Sequence, residues 1–500
     1  MRHFDRHATE IGKLPSLLLM ENAGRGAAEA IARRFPERRC IVVCGSGNNG
    51  GDGFVVARRL MTLGIDACVL SSTPLERLGP DAAIMRQAYQ ALGGRVQPLT
   101  LEALASASAG EPAVIVDALL GTGLDRDVQE PLKSVIEAIN GSPCPVASLD
   151  IPSGLDADSG RVLGAAVRAD LTITFAHPKL GLLTPRGLEH TGQLEVADIG
   201  VPKHLVQHVG HSAVTIEQAD LARLFSKRLA TTHKGDSGRI AIVAGSAGTI
   251  GAARLVARAA LKAGAGLVTI INVDEVATRL EAVAMEVMTA RLNPVAPGDS
   301  LIELAGQSDA IVIGPGLGVN PHTRELVEAA LDLPCTKVID ADALTVLGPN
   351  TRLLAQASHT IITPHPGEAG RLLGTNAAAV EDDRYGSLER LVELTQGVVV
   401  LKGAHSLIGA PGHLPHVNTT GSAVLATGGS GDVLAGMLGA LCVGRTPLAA
   451  AHFAVGMHGL AGESWQERTR ADRGLLASEI ADELPAVLAQ LSALARTLTG

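Results

Sequence analysis

The sequence predicts an α/β protein built as two three-layer α/β/α domains, and three observations carry that reading. Short apolar, β-branched runs alternate with amphipathic segments along both halves of the 500-residue chain. Alternation of this kind marks a parallel sheet covered by helices on both faces. Two glycine-rich stretches, at 45–53 and 428–431, each lead straight into a helical pattern. A segment of mixed polarity near 203–225 interrupts the cycle once, and a chain too long for a single core is expected to divide there. The domains are accordingly placed at residues 1–210 and 211–500.

In the first domain RCIVVC (39–44), DACVL (66–70), AVIVDALL (113–120), PVASLDI (145–151) and DLTITFA (170–176) read as buried strands. Between them GFVVARRLMTLG (53–64) and PLKSVIEAING (131–141) carry helical spacing. The segment 203–220 has three histidines and no strand–helix cycle, so the next strand is expected only after HKGDSGR (233–239). Strands then follow at 239–245, 266–273, 309–314, 336–341, 359–364 and 397–403, with a less regular stretch at 279–296. The chain turns helical at 448–469 and 475–495.

Composition narrows the partners. A net charge of −9 and only one Trp, two Tyr and six Phe argue against nucleic acid and anionic membranes. Cys40, Cys44, Cys68, Cys144, Cys335 and Cys442 form no CxxC pair and no zinc spacing, which suits a reducing compartment. The start MRHFDRH lacks a signal-peptide core, and no apolar run reaches the ~18 residues of a membrane span. A cytoplasmic enzyme acting on small molecules is expected.

The richest segment is VLATGGSGDVLAG (424–436). Gly428, Gly429 and Gly431 free backbone N–H groups at a helix start, where an anion is favoured. Asp432 in the first turn adds a base, and the combination suggests phosphoryl transfer to a hydroxyl. A glycine turn with an aspartate cap is the plainer alternative. The segment is neither a Walker A loop nor a kinase glycine loop. In the first domain GSGNNGGDG (45–53) is a second loop of this kind, with Asn48 and Asn49 in its middle. Asp117, Asp150 and Ser153 fall at the carboxyl ends of later strands, the edge where open α/β sheets bind ligands. With Asn49 they form an all-oxygen set suited to a hard cation, although any one of them could be a cap.

LPSLLLMENAGRG (14–26), GSGNNGGDGFVVAR (45–58), VDALLGTGL (116–124) and LDIPSGLD (149–156) together resemble the NAD(P)HX epimerase, or YjeF N-terminal, family. That resemblance implies a Rossmann-like fold, with potassium on Asn49, Asp117 and Ser153. It implies substrate contacts from Asn48, Asn49, Gly50, Gly51 and Asp52. Further contacts would come from Gly121, Thr122, Gly123, Leu124, Asp125, Arg126 and Asp127, and from Asp150. Asp150 is the nearby carboxylate left unassigned to the cation, so it is the candidate for proton transfer. Hydrogen bonding to the ring's amide is its other possible role.

HKGDSGR (233–239), AGSAGTIGAA (244–253), IGPGLG (313–318), TPHPGEAGRLLG (363–374), VVLKGAHSLI (399–408) and ATGGSGDVLAG (426–436) resemble the ADP/ATP-dependent NAD(P)H-hydrate dehydratases, which have a ribokinase-like fold. The fused order resembles bacterial bifunctional NAD(P)H-hydrate repair enzymes. This implies NADHX and NADPHX as substrates, ADP with magnesium as phosphoryl donor, and a homo-oligomer. The adenosine phosphates would lie on Lys402, Gly403, Ala404, His405, Ser406 and Gly431. Ala252, Gly316, His365 and Asp432 would meet the hydrated dinucleotide, and Glu368 could orient magnesium through water. The competing reading is a vitamin or sugar kinase fused to a passive ligand-binding module. The HPGE and KGA motifs and the fused first half argue against it.

Overall fold

Buried β-branched runs become strands at nearly every place where the sequence has one. The computed structural model describes residues 2–202, 204–205, 209–282, 286–348 and 351–499. The backbone divides into two units, Met1–His211 and Ser212–Gly500.

The first unit contains β1 (Arg39–Cys44), β2 (Ala67–Ser71), β3 (Val96–Pro98), β4 (Ala113–Ala118), β5 (Val146–Leu149), β6 (Leu171–Phe175) and β7 (Gln193–Ala197). They form one parallel sheet in the order β3-β2-β1-β4-β5-β6-β7. Successive residues of β1 serve opposite faces. Val42 and Cys44 pack with Phe54, Val56 and Leu60, whereas Ile41 and Val43 pack with Val135, Ile136 and Ile139. Strand order reverses direction between β1 and β4, so the turns after these two strands splay apart and open a crevice.

The second unit carries ten strands in one sheet, ordered β11-β10-β9-β12-β13-β14-β15-β16-β17-β8. They are β8 (Val214–Ile216), β9 (Arg239–Val243), β10 (Leu267–Asn272), β11 (Met288–Arg291), β12 (Ala310–Ile313), β13 (Thr336–Ile339), β14 (Thr360–Ile362), β15 (Val398–Leu401), β16 (Leu407–Gly409) and β17 (His416–Asn418). All pairings are parallel except those of β16 with β15 and with β17. The stretch before residue 239 corrects the expectation of an interrupted cycle. It holds β8 and a helix at Gln218–Leu224, and β8 closes the far edge of the sheet beside β17. Three-residue strands have too few side chains to show an alternation, so the mixed polarity there hid a strand. Residues 203 and 206–208 of that segment lie outside the described residues. The irregular stretch 279–296 contains the edge strand β11, partly exposed along its length.

The helix Ser430–Leu441, which begins at the second glycine loop, is seated on the helix Ile250–Ala263. Gly436 permits that approach, because a Cβ there would overlap the Val256 carbonyl oxygen. Gly436→Ala should therefore destabilise the second unit by about 1–3 kcal/mol through overpacking. In an open helix the same change would add about 1 kcal/mol of stability. Urea unfolding followed by circular dichroism separates the two signs.

Two candidate active sites

At the β1–β4 crevice the first glycine loop turns directly into the helix Asn48–Thr62. Asn49, in its first turn, is buried, and its Nδ2 donates to the Leu120 carbonyl at 2.9 Å. Among the described residues its buried Oδ1 has no hydrogen-bond partner. Asp117, near the end of β4, is fully buried and accepts from Ser148 Oγ (2.8 Å), Ser153 N (2.9 Å), Ser153 Oγ (2.6 Å) and Leu119 N (3.2 Å). Burial holds its carboxyl above the usual carboxylate range, and these donors oppose that shift. Ser153 Oγ also accepts the Leu120 N–H at 2.8 Å and lies 3.2 Å from the Leu120 carbonyl oxygen. Asn49 and Ser153 thus meet at Leu120, and Ser153 meets Asp117. The three predicted cation ligands are brought together around the backbone carbonyl of Leu120, a residue that sequence reasoning had not named. An orphaned amide oxygen, a serine hydroxyl, a carboxylate and a carbonyl are hard donors, and they fit a cation held by oxygen.

In front of this cluster lies a cavity of about 500 Å³. Asn48, Asn49, Asp52, Gly121, Thr122, Gly123, Leu124, Asp125, Arg126 and Asp150 all line it, as does Phe175. Gly50, Gly51 and Asp127 are not among its lining residues. Gly50 is instead pressed against Gly45, whose carbonyl a Cβ would overlap, and Gly51 against the Met20 side chain. Their glycine character serves the close passage of the helix behind the loop.

Asp150 follows β5 in left-handed backbone, with φ of 64°. Its Oδ1 accepts the Phe175 N–H at 3.0 Å and is ion-paired with Lys179. Sequence reasoning did not single out Lys179, which sits 29 residues further along.

In the second unit the carboxyl ends of β13, β14 and β15 deliver Asp340, His365 and Lys402 to one edge. Lys402 Nζ binds Asp340 Oδ1 at 2.7 Å and lies 3.9 Å from Glu368 Oε2. Burial disfavours the ammonium, yet the Asp340 and Glu368 carboxylates hold it above the usual lysine range. Gly431 faces this pair, and a Cβ on it would stand 3.5 Å from Lys402 Nζ. Asp432, in the next position of the helix start, is pushed up to about 6 by burial and then by the Asp340 carboxylate, with Lys402 opposing. Glu368 is likewise raised by burial. Three acids around one lysine leave a surplus of negative charge, which fits a divalent cation arriving with phosphate.

His365 and Glu368 form a capping box at the helix Pro366–Leu372. His365 Nδ1 accepts the Gly367 N–H at 3.0 Å, and Glu368 Oε2 accepts the His365 N–H at 2.8 Å. Ala252 and Gly316 are neighbours, since a Cβ on Gly316 would lie 3.0 Å from that of Ala252. Thr249, the cap of the helix that carries Ala252, joins the two segments by donating from Oγ1 to the Gly316 carbonyl at 2.6 Å.

The loop 402–406 is pinned from beneath by Arg384, a buried cation that donates to the Leu401 and Lys402 carbonyls at 3.3 and 3.2 Å. Gly403 takes a φ of 142° beside that guanidinium, and Ser406 Oγ donates to the Gly403 carbonyl at 2.9 Å. His405 has a φ of 52°, and Ala404 is exposed. Behind the 428–432 loop, His458 Nε2 lies 3.0 Å from the Ser430 carbonyl oxygen. Burial pushes His458 down to about 4, so near neutral pH it is an uncharged donor to that carbonyl. Asp340, Arg384 and His458 were all absent from the sequence-based set. Asp340 alone carried a signal, since it follows the apolar run TKVI as Asp117 follows AVIV.

Comparison with known proteins follows the same division. A family described as YjeF-related protein N-terminus matches residues 16–181, and one described as NAD(P)H-hydrate dehydratase matches 240–486. The chain is 40% identical over 510 residues to the bifunctional NAD(P)H-hydrate repair enzyme Nnr of Moorella thermoacetica, covering 98% of this chain and 96% of that one. It is 37% identical over 491 residues to the enzyme of that name from Escherichia coli, covering 98% and 92%. Among solved structures, the ADP/ATP-dependent NAD(P)H-hydrate dehydratase from Bacillus subtilis co-crystallized with ATP/Mg2+ is 29% identical. That match covers 56% of this chain and 100% of that one, with a TM-score of 0.49.

A reaction that uses Asp432 as its base needs the ionised carboxylate. Its rate should fall as pH drops through about 6 and level off above it. A pH–rate profile of the second unit's reaction checks this limb, which a base with an ordinary carboxylate pKa would place roughly two units lower.

Proposed function

The chain belongs to the family of bifunctional NAD(P)H-hydrate repair enzymes, and from that premise we propose how its residues divide the work. The repair restores hydrated NADH and NADPH, with epimerisation in the first unit and dehydration in the second. The sugar- or vitamin-kinase reading has no support, because relatives bearing the repair name match nearly the whole chain.

A hydroxyl on the hydrated nicotinamide ring leaves poorly. In our reading Asp432 takes its proton while the oxygen attacks the terminal phosphoryl of ADP, and AMP departs. The phosphate ester then leaves as inorganic phosphate, the neighbouring carbon loses a proton, and the ring double bond returns. Base catalysis of this kind contributes about 10²–10⁴-fold. The N–H groups that open the helix at Ser430 and the Lys402 ammonium meet the transferring phosphoryl, an arrangement of donors worth ~3–4 kcal/mol each in oxyanion holes. Loop 402–406 and Gly431 cradle the nucleotide. Ala252, Gly316 and His365 meet the dinucleotide. Magnesium would be held by phosphate and, through water, by Glu368, and it supplies charge neutralisation at the phosphoryl group. The observation that carries this assignment is the close grouping of Lys402, Gly431 and Asp432 at the start of a helix.

For the first unit we assign potassium to Asn49, Asp117 and Ser153, with the orphaned Asn49 Oδ1 as the strongest support. The ring would lie in the cavity between loops 48–52 and 121–127, against Asp150. ADP as donor, a cytoplasmic location and homo-oligomeric assembly belong to the same proposal. No helix among the described residues is long and apolar enough to cross a membrane.

With ADP, magnesium and potassium, the intact protein should clear a mixture of both NADPHX epimers. Asp432→Asn should slow dehydration at least ~10²-fold while epimers still interconvert. Asp150→Ala should leave one epimer consumed at the normal rate and the other only at its spontaneous rate of epimerisation. Both epimers disappearing at wild-type speed in Asp150→Ala would remove Asp150 from the reaction. Asn49→Ala should weaken the potassium dependence of interconversion, and an unchanged potassium titration would detach Asn49 from the ion.

A further inference from the structure

Lys179 is among the most completely buried cations of the first unit, with a side chain only 2% exposed. It stands at the cap of the short 3-10 turn Leu180–Leu183 and folds back onto the end of β6. Its Nζ donates to Thr174 Oγ1 at 2.9 Å, to the Phe175 carbonyl at 3.1 Å and to Asp150 Oδ1. An ammonium has three donors, and all three are engaged. Lys179 therefore has no proton left to offer a substrate directly, and whatever it does is done through Asp150.

Its effect on Asp150 is directional. Lys179 and the Phe175 N–H both converge on Oδ1. Among the described residues Oδ2 takes no hydrogen bond, and Asp150 lines the cavity together with Phe175. The backbone is held as well, since the Asp150 N–H donates to the Ile173 carbonyl at 2.7 Å with the residue at a positive φ. A non-glycine residue keeps such a conformation where its surroundings over-determine it, which recurs at functional sites. A buried ion pair is seldom a net gain in stability over apolar residues of equal size, so stability is a weak reason for this one.

We infer that Lys179 is a positioning residue for epimerisation, which clamps one oxygen of Asp150 so that the other is presented to the hydroxyl on the hydrated ring. This rests on the reading of the first unit as the epimerase. Removing the clamp frees the Asp150 side chain to rotate, and a misplacement of about 1 Å in a reacting group can cost on the order of 10²-fold.

The test uses the full-length protein and separated NADPHX epimers, with interconversion followed by chromatography in the absence of ADP. Lys179→Ala should lower kcat for interconversion about 10²-fold with KM changed far less. Lys179→Ala combined with Asp150→Asn should be no slower than the slower single variant, because the lysine acts only through the carboxylate. Methylammonium, small enough to enter the vacated space as a cation, should restore part of the Lys179→Ala rate and none of the rate of either variant carrying Asp150→Asn. A misfolded unit would not be rescued in this way. A wild-type rate in Lys179→Ala overturns the inference. So does a loss that multiplies with that of Asp150→Asn and resists methylammonium, for the lysine would then be a structural prop. Wild-type protein that fails to interconvert the epimers would instead overturn the epimerase reading itself.

Discussion

Parallel strands all deliver their carboxyl ends to one edge of a sheet, and both sites exist because of that constraint. Each strand must return through a helix, so the same edge also collects strand–helix turns and helix N-termini. In the first unit the edge gathers Asn49, Asp117, Asp150 and Ser153 from the carboxyl ends of three different strands and the segments that follow them. In the second it brings Lys402 to Asp340 across 62 residues of sequence. The glycines sit where these turns and the helices they open crowd one another. Gly50 passes against Gly45, and Gly436 lets the Asp432 helix lie on its neighbour. Chemistry and packing are therefore set by the same turns, and a change that loosens a turn also displaces a functional side chain.

The two sites treat buried charge in opposite ways. Asp117 is surrounded by four neutral donors and no cationic side chain among its hydrogen-bond partners. Such a carboxylate still pays for burial, and an added cation beside it would offset that cost. The second site starts with its cation in place, since Lys402 is shared between Asp340 and Glu368. Burial, and then the Asp340 carboxylate, push Asp432 up to about 6, and the lysine, already committed to Asp340 and Glu368, offsets that shift only in part. A base tuned to that range is ionised at neutral pH yet still holds a proton well enough to accept one from a hydroxyl.

Longer strands buried on both faces were legible because β-branched residues run continuously there, as in RCIVVC and AVIVDA, whereas the buried three-residue strands β16 and β17 went unpredicted. The edge strands β3, β7, β8 and β11 were not legible either, being short or half exposed, with no apolar run to mark them. Candidate site residues were legible where they stand near glycines at a strand end or a helix start, as Asp117 and Asp432 do. Lys179, Arg384 and His458 act at a distance in sequence on residues already found, and no local pattern announces a side chain whose partner lies elsewhere. Leu120 was illegible for another reason, because its contribution is a carbonyl and its side chain says nothing of it. Gly50 and Gly51 belong to a recognisable motif, but their glycine character is spent on packing and not on the cavity wall.

The cavity of the first site is lined entirely by residues of the first unit, and the acid–lysine network of the second is drawn entirely from the second. The dinucleotide is common to both reactions, and the second site sets the direction of the whole repair. Epimerisation runs both ways with little driving force, because the two epimers have the same bonds. Dehydration coupled to cleavage of a phosphoanhydride runs one way, and it withdraws one epimer from the exchange. The first unit then needs no energy source of its own. That modest demand matches a site made of hydrogen bonds to Asp117 and a clamped Asp150, while the costlier chemistry is left to the unit that binds the nucleotide.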